Sequence, residues 1–291
     1  MLEAGFRSTQ WQELTFAIVG LGLIGGSYAK ALRQLRAKRI IGVERNPATL
    51  RQAAELGIID EALKEAGPEL AQADVLICAI YPEAIAGFIK SNVQFLSSHV
   101  LITDVAGIKG DMIRRVQEAL LPGMEFISGH PMAGRQSSGL AMADAAIFHN
   151  ANYIVVPEAG NTPQAVAWLE QFALALGCAH TVRVTPEEHD RTIAFTSNLP
   201  HVTAVALMDS ASYNEKTRYF VAGSFRDGTR VADINPELWC GLFLANKEKV
   251  ADEIDKYMEQ LTLWRDALRA GDGETLKALM RTAAARRKEL Y

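Results

Sequence analysis

Through the first two thirds of the chain, short apolar runs alternate with longer amphipathic stretches; beyond residue 184 the short runs stop. The runs at 16–19, 40–43, 75–80, 100–104, 125–128, 152–157 and 180–184 have the length and apolar content of buried strands. Ile58 and Ile59 predict one more brief strand. Helical periodicity fills the gaps at 29–35, at 47–56, after Tyr81-Pro82, from Lys109 to about residue 120, and at 163–176. The ends carry matching signals: Asn46 as N-cap before Pro47, and Gly57 and Gly177 as stops. This alternation predicts a mostly parallel sheet covered on both faces. After Thr185-Pro186 the pattern is helical: 186–212 with a kink at Pro200, 236–270, and 273–290, with a loop at 224–230. That helical part carries more apolar positions than a domain of its size buries alone, which predicts a homodimer formed through it.

Residues 16–44 organise the N-terminal part. Gly20, Gly22 and Gly25 follow the first apolar run directly, and Glu44 stands nineteen residues after Gly25, beyond a helical stretch and a second run. This is a dinucleotide-binding fingerprint in its required context. The first glycine allows a tight turn, the second lets backbone approach a pyrophosphate, and the third lets helix and strand pack closely. The phosphates then meet the free N–H groups at the helix start, around Leu23 and Ile24, and the positive end of its dipole. Glu44 would accept hydrogen bonds from the adenosine ribose and repel a 2′-phosphate, which predicts NAD as the cofactor, with the adjacent Arg45 as the group that could accommodate NADP. Asp104, closing the run at 100–104, is a further candidate for cofactor contact. The predicted fold class is therefore α/β: an N-terminal Rossmann-type, doubly wound sheet domain over 1–184 and an all-helical dimerisation domain over 185–291.

Composition narrows the partners. The chain has 291 residues, 49% hydrophobic and 22% charged, as ordinary globular proteins do. A net charge of −4 without a long basic run gives no sign of nucleic acid as a partner. The glycine-rich apolar stretch is too short for a membrane span, and Glu3 and Glu13 precede it in place of a basic leader. Cys78, Cys178 and Cys240 are far apart and lack metal-ligand spacing, which points to a reducing cytoplasm, buried thiols and no metal site.

In open parallel sheets, ligands bind beyond the carboxyl ends of the strands. Two polar loops lie there, 104–109 and 129–139, and His130 sits in the second between Gly129 and Pro131. A histidine there either exchanges protons near neutral pH or is held structurally by backbone; position alone does not separate the two. His189, in Glu187-Glu188-His189-Asp190, reads as a solvated first-turn histidine, and His201, beside Pro200, as a cleft residue or a satisfied interior one. Arg226 and Arg230 flank Asp227 as in a surface ion pair, although an arginine turned into a cleft binds a carboxylate through two parallel N–H bonds. Trp239 reads as core.

The segments GLGLIGGS (20–27), TDVAGIKG (103–110), GHPMAGRQSSG (129–139), EHD (188–190), SNLPH (197–201) and FRDGTRVADINPELW (225–239) occur in one order and spacing. Together they resemble the prephenate and arogenate dehydrogenase family of tyrosine biosynthesis, over about 15–285. The GHPMAG and FRD-x-TR…W segments are far more specific than the glycine motif. The resemblance implies a nucleotide-binding domain followed by a helical dimerisation domain, and oxidative decarboxylation of prephenate by NAD⁺ to 4-hydroxyphenylpyruvate. It implies His130 as the base on the 4-hydroxyl, Arg230 as the clamp on a substrate carboxylate, His201 and Trp239 as pocket residues, and His189 with Asp190 as a structural pair. It also implies no fused mutase before residue 15 and no regulatory domain after 285.

Two positions depart from the family pattern. The serine that bonds the catalytic histidine is Gly107 here, with Ser128, Ser137 or a water as stand-ins, and a frequent histidine is Asn198, which still donates a hydrogen bond. Gln136 stands where members often carry an acid; a neutral residue leans toward the keto acid prephenate over the ammonium of arogenate. Arogenate or dual cyclohexadienyl dehydrogenase activity is the alternative. A hydroxyacid or 6-phosphogluconate-type dehydrogenase shares the two-part architecture, but its Gly-x-x-Gly-x-x-x-Lys-x-x-x-Asn segment is lacking here. The non-enzyme alternative is a dinucleotide-sensing module with a dead site, supported by Gly107 and opposed by His130 and Arg230.

Overall fold

The computed structural model describes residues 10–134 and 138–290. Its first part runs β1 (Thr15–Val19), α1 (Leu23–Gln34), β2 (Arg39–Val43), α2 (Pro47–Glu55), β3 (Glu61–Leu63), β4 (Val75–Cys78), α3 (Pro82–Asn92), β5 (Leu101–Asp104), α4 (Met112–Gln117), β6 (Glu125–Pro131), β7 (Asn152–Val156), α5 (Pro163–Ala175) and β8 (His180–Arg183). The strands form one sheet of order β3-β2-β1-β4-β5-β6-β7-β8. Side chains alternate across a strand, so β1 feeds two cores. Phe16 and Ile18 pack with Tyr28, Leu32, Trp168 and Phe172 on one face; Ala17 and Val19 pack with Ile85, Ile89 and Val116 on the other.

Pairing is parallel from β3 to β6, antiparallel between β6 and β7, and parallel again between β7 and β8. β6 outruns its neighbour: its last register partner in β5 is Thr103, opposite Ile127, whereas the residues from Ser128 to Pro131 pair with β7. The antiparallel strand thus supports an overhang that carries His130 past the end of β5. The brief strand expected at Ile58 and Ile59 lies instead at Glu61–Leu63. Both isoleucines are buried, but as loop residues plugging the core beneath α1 and β2.

The second part comprises α6 (Pro186–Ile193), a π-helical turn (Ala194–Asn198), α7 (Leu199–Met208), α8 (Gly223–Thr229), a 3₁₀ turn (Arg230–Ala232), α9 (Pro236–Ala245), α10 (Lys247–Ala270) and α11 (Gly273–Leu290). Among the described residues no strand follows Arg183. Thr185 and Glu188 form a reciprocal capping box that starts α6. Three expectations change here. The first long helix bends through the π turn, which accommodates the missing N–H of Pro200, and it ends at Met208. The stretch expected as a loop, 224–230, is largely the short helix α8. The second long helix breaks at Asn246, whose backbone leaves helical geometry at φ −122° and ψ 23°.

Candidate active site

The cofactor end is built by the turn after β1. Gly20 has φ +87°, and a Cβ there would press on the Ala79 carbonyl and Ile80. A Cβ on Gly25 would collide with the Gly20 carbonyl, so the helix can approach the strand only without one. Gly22, by contrast, faces open space. α1 starts at Leu23 with no side-chain cap and no acid in its first turn, so the N–H groups at Leu23, Ile24 and Gly25 stay free of side-chain acceptors. Glu44 reaches over this loop: its carboxylate accepts from Leu21 N at 2.9 Å and Asn46 N at 2.8 Å. Arg45 is exposed beside it. These residues fit a dinucleotide: open backbone donors for phosphates, and an acid at the second strand.

Asp104 does not belong with them. Its carboxylate is fully buried and accepts from Lys109 Nζ (2.8 Å), Ala106 N (2.8 Å), Ser128 Oγ (2.5 Å) and Gly129 N (3.2 Å). All its strong acceptor directions are occupied by protein, so its carboxylate has no reach to a cofactor. Lys109 is equally buried and also donates to the Gly129 carbonyl at 2.7 Å. Burial pulls the Lys109 ammonium down from the ordinary lysine range, and the Asp104 charge opposes that. The pair ties the loop after β5 to the β6 overhang.

Above this pair sits a second polar chain. His130 Nδ1 lies 2.9 Å from His189 Nε2, and His189 Nδ1 lies 2.7 Å from Asp190 Oδ1. Asp190 also accepts from Lys109 N (2.9 Å) and Gly110 N (2.6 Å). His189 is thus no solvated first-turn residue; it and Asp190 are each 2% exposed. Burial opposes ionisation of Asp190, but the His189 N–H and the two backbone N–H groups outweigh it and hold the carboxyl below its usual range. His130 is held well below the ordinary histidine value, first by burial, then by the Lys109 charge and His189. His189 is lowered by burial, against the pull of Asp190.

Neither stand-in for the family serine can be placed beside His130. Ser128 gives its hydroxyl to Asp104, and Ser137, like Gln136, lies outside the described residues. At Gly107 a Cβ would stand 3.8 Å from His130 Cε1 and Nε2, and 4.0 Å from Leu242. The Nε2 edge of His130 therefore faces a small gap walled by α9.

The substrate candidates continue along α9. Trp239, one turn before Leu242 and on the same face, stacks on His201 with ring centroids 3.7 Å apart and planes at 30°. His201 Nδ1 lies 2.8 Å from the Ser197 carbonyl, so that nitrogen is the donor. Burial lowers the His201 pKa, and the nearby Arg230 charge adds to it against that carbonyl. Arg230 opens the 3₁₀ turn and is exposed. Trp239 is half-buried rather than core. Asn198 is 1% exposed and faces inward: its Oδ1 lies 3.3 Å from Asn246 Nδ2, which also donates to the Asp190 carbonyl at 2.8 Å. Asn198 thus supports the site from behind, and the break in the second long helix exists where the Asn246 amide leaves the helix to make these bonds.

Sequence reading missed the roles of His189, Asp190, Lys109 and Asn246. EHD was visible as a motif, but nothing local shows that residue 189 meets residue 130 across 59 positions.

Comparison with known proteins shows the family. Residues 28–182 match the family model "Prephenate dehydrogenase, nucleotide-binding domain", and residues 185–282 match "Prephenate dehydrogenase, dimerization domain". The chain is 33% identical over 275 residues to a prephenate dehydrogenase of Bacillus subtilis, covering 92% of this chain and 74% of that protein. It is 30% identical over 266 residues to a cyclohexadienyl dehydrogenase of Zymomonas mobilis, covering 89% and 90%. Among solved structures, prephenate dehydrogenase from A. aeolicus in complex with hydroxyphenyl propionate and NAD⁺ superposes with a TM-score of 0.85 at 28% identity, over 94% of this chain and 98% of that one. With both halves matched in order and the glycine loop, His130 and the helical wall in place, the chain belongs to the prephenate dehydrogenase family.

Proposed function

We propose that the protein oxidises prephenate with NAD⁺, releasing carbon dioxide and 4-hydroxyphenylpyruvate. The observation that supports this most is His130: half-buried, held at Nδ1, and open at Nε2 toward a gap that α9 connects to His201, Trp239 and Arg230. His130 takes the proton of the ring hydroxyl; the O–H bond breaks and an N–H bond forms. The alkoxide becomes a carbonyl as hydride leaves carbon 4. Electrons of the bond from carbon 1 to the carboxylate then flow through the ring to that oxygen as carbon dioxide departs and the ring becomes aromatic, and the oxygen takes back the proton held by His130 to give the phenol. NAD⁺ supplies the hydride acceptor. Gly20, Gly22, Leu23, Ile24 and Gly25 form its phosphate cradle, and Glu44 and Arg45 meet its ribose.

Arg230 holds a substrate carboxylate through paired N–H bonds. His201 and Trp239 wall the pocket, with Asn198 behind them. Gln136, being neutral, favours the keto acid of prephenate over the ammonium of arogenate. The Zymomonas relative supports a second reading, activity on both compounds. The two functional units are 1–184 and 185–291. The second pairs with its copy in a homodimer, because helices α8, α9 and α11 bury no residue of their own in the single chain. Three free cysteines support a reducing cytoplasm as the location; Cys78 and Cys178 are buried as expected, whereas Cys240 is exposed.

The test is NADH absorbance with purified protein and prephenate, arogenate or 6-phosphogluconate. Prephenate with NAD⁺ should give the highest kcat/KM. Absence of turnover with prephenate, or a higher kcat/KM with NADP⁺, would refute the reading. Light scattering at micromolar concentration should give the mass of a dimer.

A further inference from the structure

His189, from the helical part, meets the overhang of the sheet part at the far edge of His130, and Asp190 beside it binds His189 and the backbone of the loop after β5. With both histidines neutral, proton bookkeeping along this chain has one solution. Asp190 accepts from the backbone N–H groups of Lys109 and Gly110, so it is an acceptor on both oxygens. His189 Nδ1 must then carry the proton that faces Asp190 at 2.7 Å. A neutral His189 has no second proton, and its Nε2 is a lone pair. His130 Nδ1, 2.9 Å away, must therefore supply the hydrogen between them. The His130 lone pair is left on Nε2, the edge that faces the gap beside Gly107.

We propose that His189 and Asp190 are positioning residues that lock His130 as its Nδ1–H tautomer, so that the helical domain determines on which nitrogen the base of the sheet domain can accept a proton. This rests on His130 being the base. In the opposite tautomer, Nε2 would carry a hydrogen and could not take the substrate hydroxyl proton. After transfer, Nε2–H is the new bond, and the imidazolium still donates through Nδ1 to His189. The competing state is a protonated His189, which would donate to His130 and reverse the tautomer. Among the described residues, the charged and titratable groups that act on the two histidines are Lys109 from the loop after β5, Asp104 at the end of β5, and Asp190 on α6; from α9, apolar Leu242 stands at the gap. The buried Lys109 cation and the scarcity of water disfavour that second positive charge.

The decisive measurement is the ¹⁵N spectrum of histidine-labelled protein at neutral pH, with His130 assigned by the His130→Asn variant. The expected pattern is a protonated Nδ1 and an unprotonated Nε2. In His189→Leu the His130 signals should shift toward a mixture of tautomers. That variant should lose about 10–100-fold in kcat, as typically follows removal of a group orienting a histidine through its second nitrogen, with KM for prephenate and NAD⁺ affinity retained. His189→Gln, whose amide oxygen can accept from Nδ1–H, should recover most of the loss. An Nε2–H tautomer in the wild type, or wild-type kcat in folded His189→Leu, would overturn the proposal. If His189→Leu does not fold, the wild-type spectrum and the Gln variant decide. The spectrum reads the tautomer whether or not prephenate is turned over, so failure of the substrate assignment is seen separately in the absorbance assay.

Discussion

The two ends of the site are built on opposite plans. At the His130 end, Asp104, Lys109, Ser128, His189 and Asp190 are all buried, and each is hydrogen-bonded to another member of the seam. At the Arg230 end, Arg230 is exposed, His201 and Trp239 are half-buried, and α8 and α9 bury nothing. Phe220 and Leu244, 83% and 64% exposed, lie in the same region. A sealed polar network permits one geometry, because every displaced bond leaves a buried orphan. At the open end, the half-buried aromatic rings and the exposed Arg230 leave surface for a ligand or a second chain to cover. On the proposed function, the base is held before substrate arrives at one end, and recognition is completed on binding at the other.

Changes at the sealed end should act on turnover or folding. The largest effect is expected for His130→Asn, which keeps a donor toward His189 but removes the base. Its kcat should drop by about 10²–10⁴ with little change in KM. The wild-type kcat/KM should fall with acid only below the ordinary histidine value of about 6.5, since His130 is held under it by burial and Lys109; the variant should lack that limb. Wild-type kcat in this variant would move the base elsewhere, with His201 the first alternative. Next, Lys109→Met leaves the Asp104 carboxylate buried without its cation, which should cost about 3–5 kcal/mol in denaturant unfolding. A loss no greater than that of an exposed ion pair, such as Arg114 with Asp111 removed, would show that the seam is not the rigid part.

The open end should respond in affinity. Arg230→Lys removes the paired N–H fork, and losing a charge-assisted bond costs about 1.5–3 kcal/mol, roughly tenfold or more in KM. Stability and NAD⁺ binding should persist; an unchanged KM would pass the role to Arg226. The smallest effect is expected in the acid stability of the wild type. His130 and His189 both have folded pKa values below the ordinary one, with burial as the first cause. The unfolded chain takes up those protons near pH ~6.5 and the folded chain does not. Stability is therefore fully present above that pH and declines as pH falls toward the folded values. Urea midpoints at neutral and mildly acidic pH should show the decline, and His189→Gln should reduce it.

Much of the sheet part was legible because its signals are local. Gly20, Gly22 and Gly25 after an apolar run, and Asn46 with Pro47 at a helix start, act within a few residues of themselves. β3 was misplaced because the two isoleucines before it are buried without being paired. The break at Asn246 escaped because the surrounding residues favour helix; what ends the helix is a bond to a carbonyl 56 positions away. The same limit applied to the site. Residue type alone left His130, Arg230, His201 and Trp239 open, and their proposed roles came from the resemblance, whereas Asp104 looked like a ligand contact until its cation, hydroxyl and backbone donors were seen around it.

Gly107 has a consequence for how such a site can change over generations. A Cβ there would meet only ordinary van der Waals neighbours, at 3.8 Å from the His130 ring and 4.0 Å from Leu242. Glycine and serine codons lie a single base apart, so a hydroxyl at this position can be lost or regained in one mutational step without repacking. If His189 aligns the histidine from its other side, as proposed above, that step would tune the rate and leave the reaction intact. Position 107 can thus take a side chain by itself, whereas a replacement at residue 189 has to fit between His130 and Asp190.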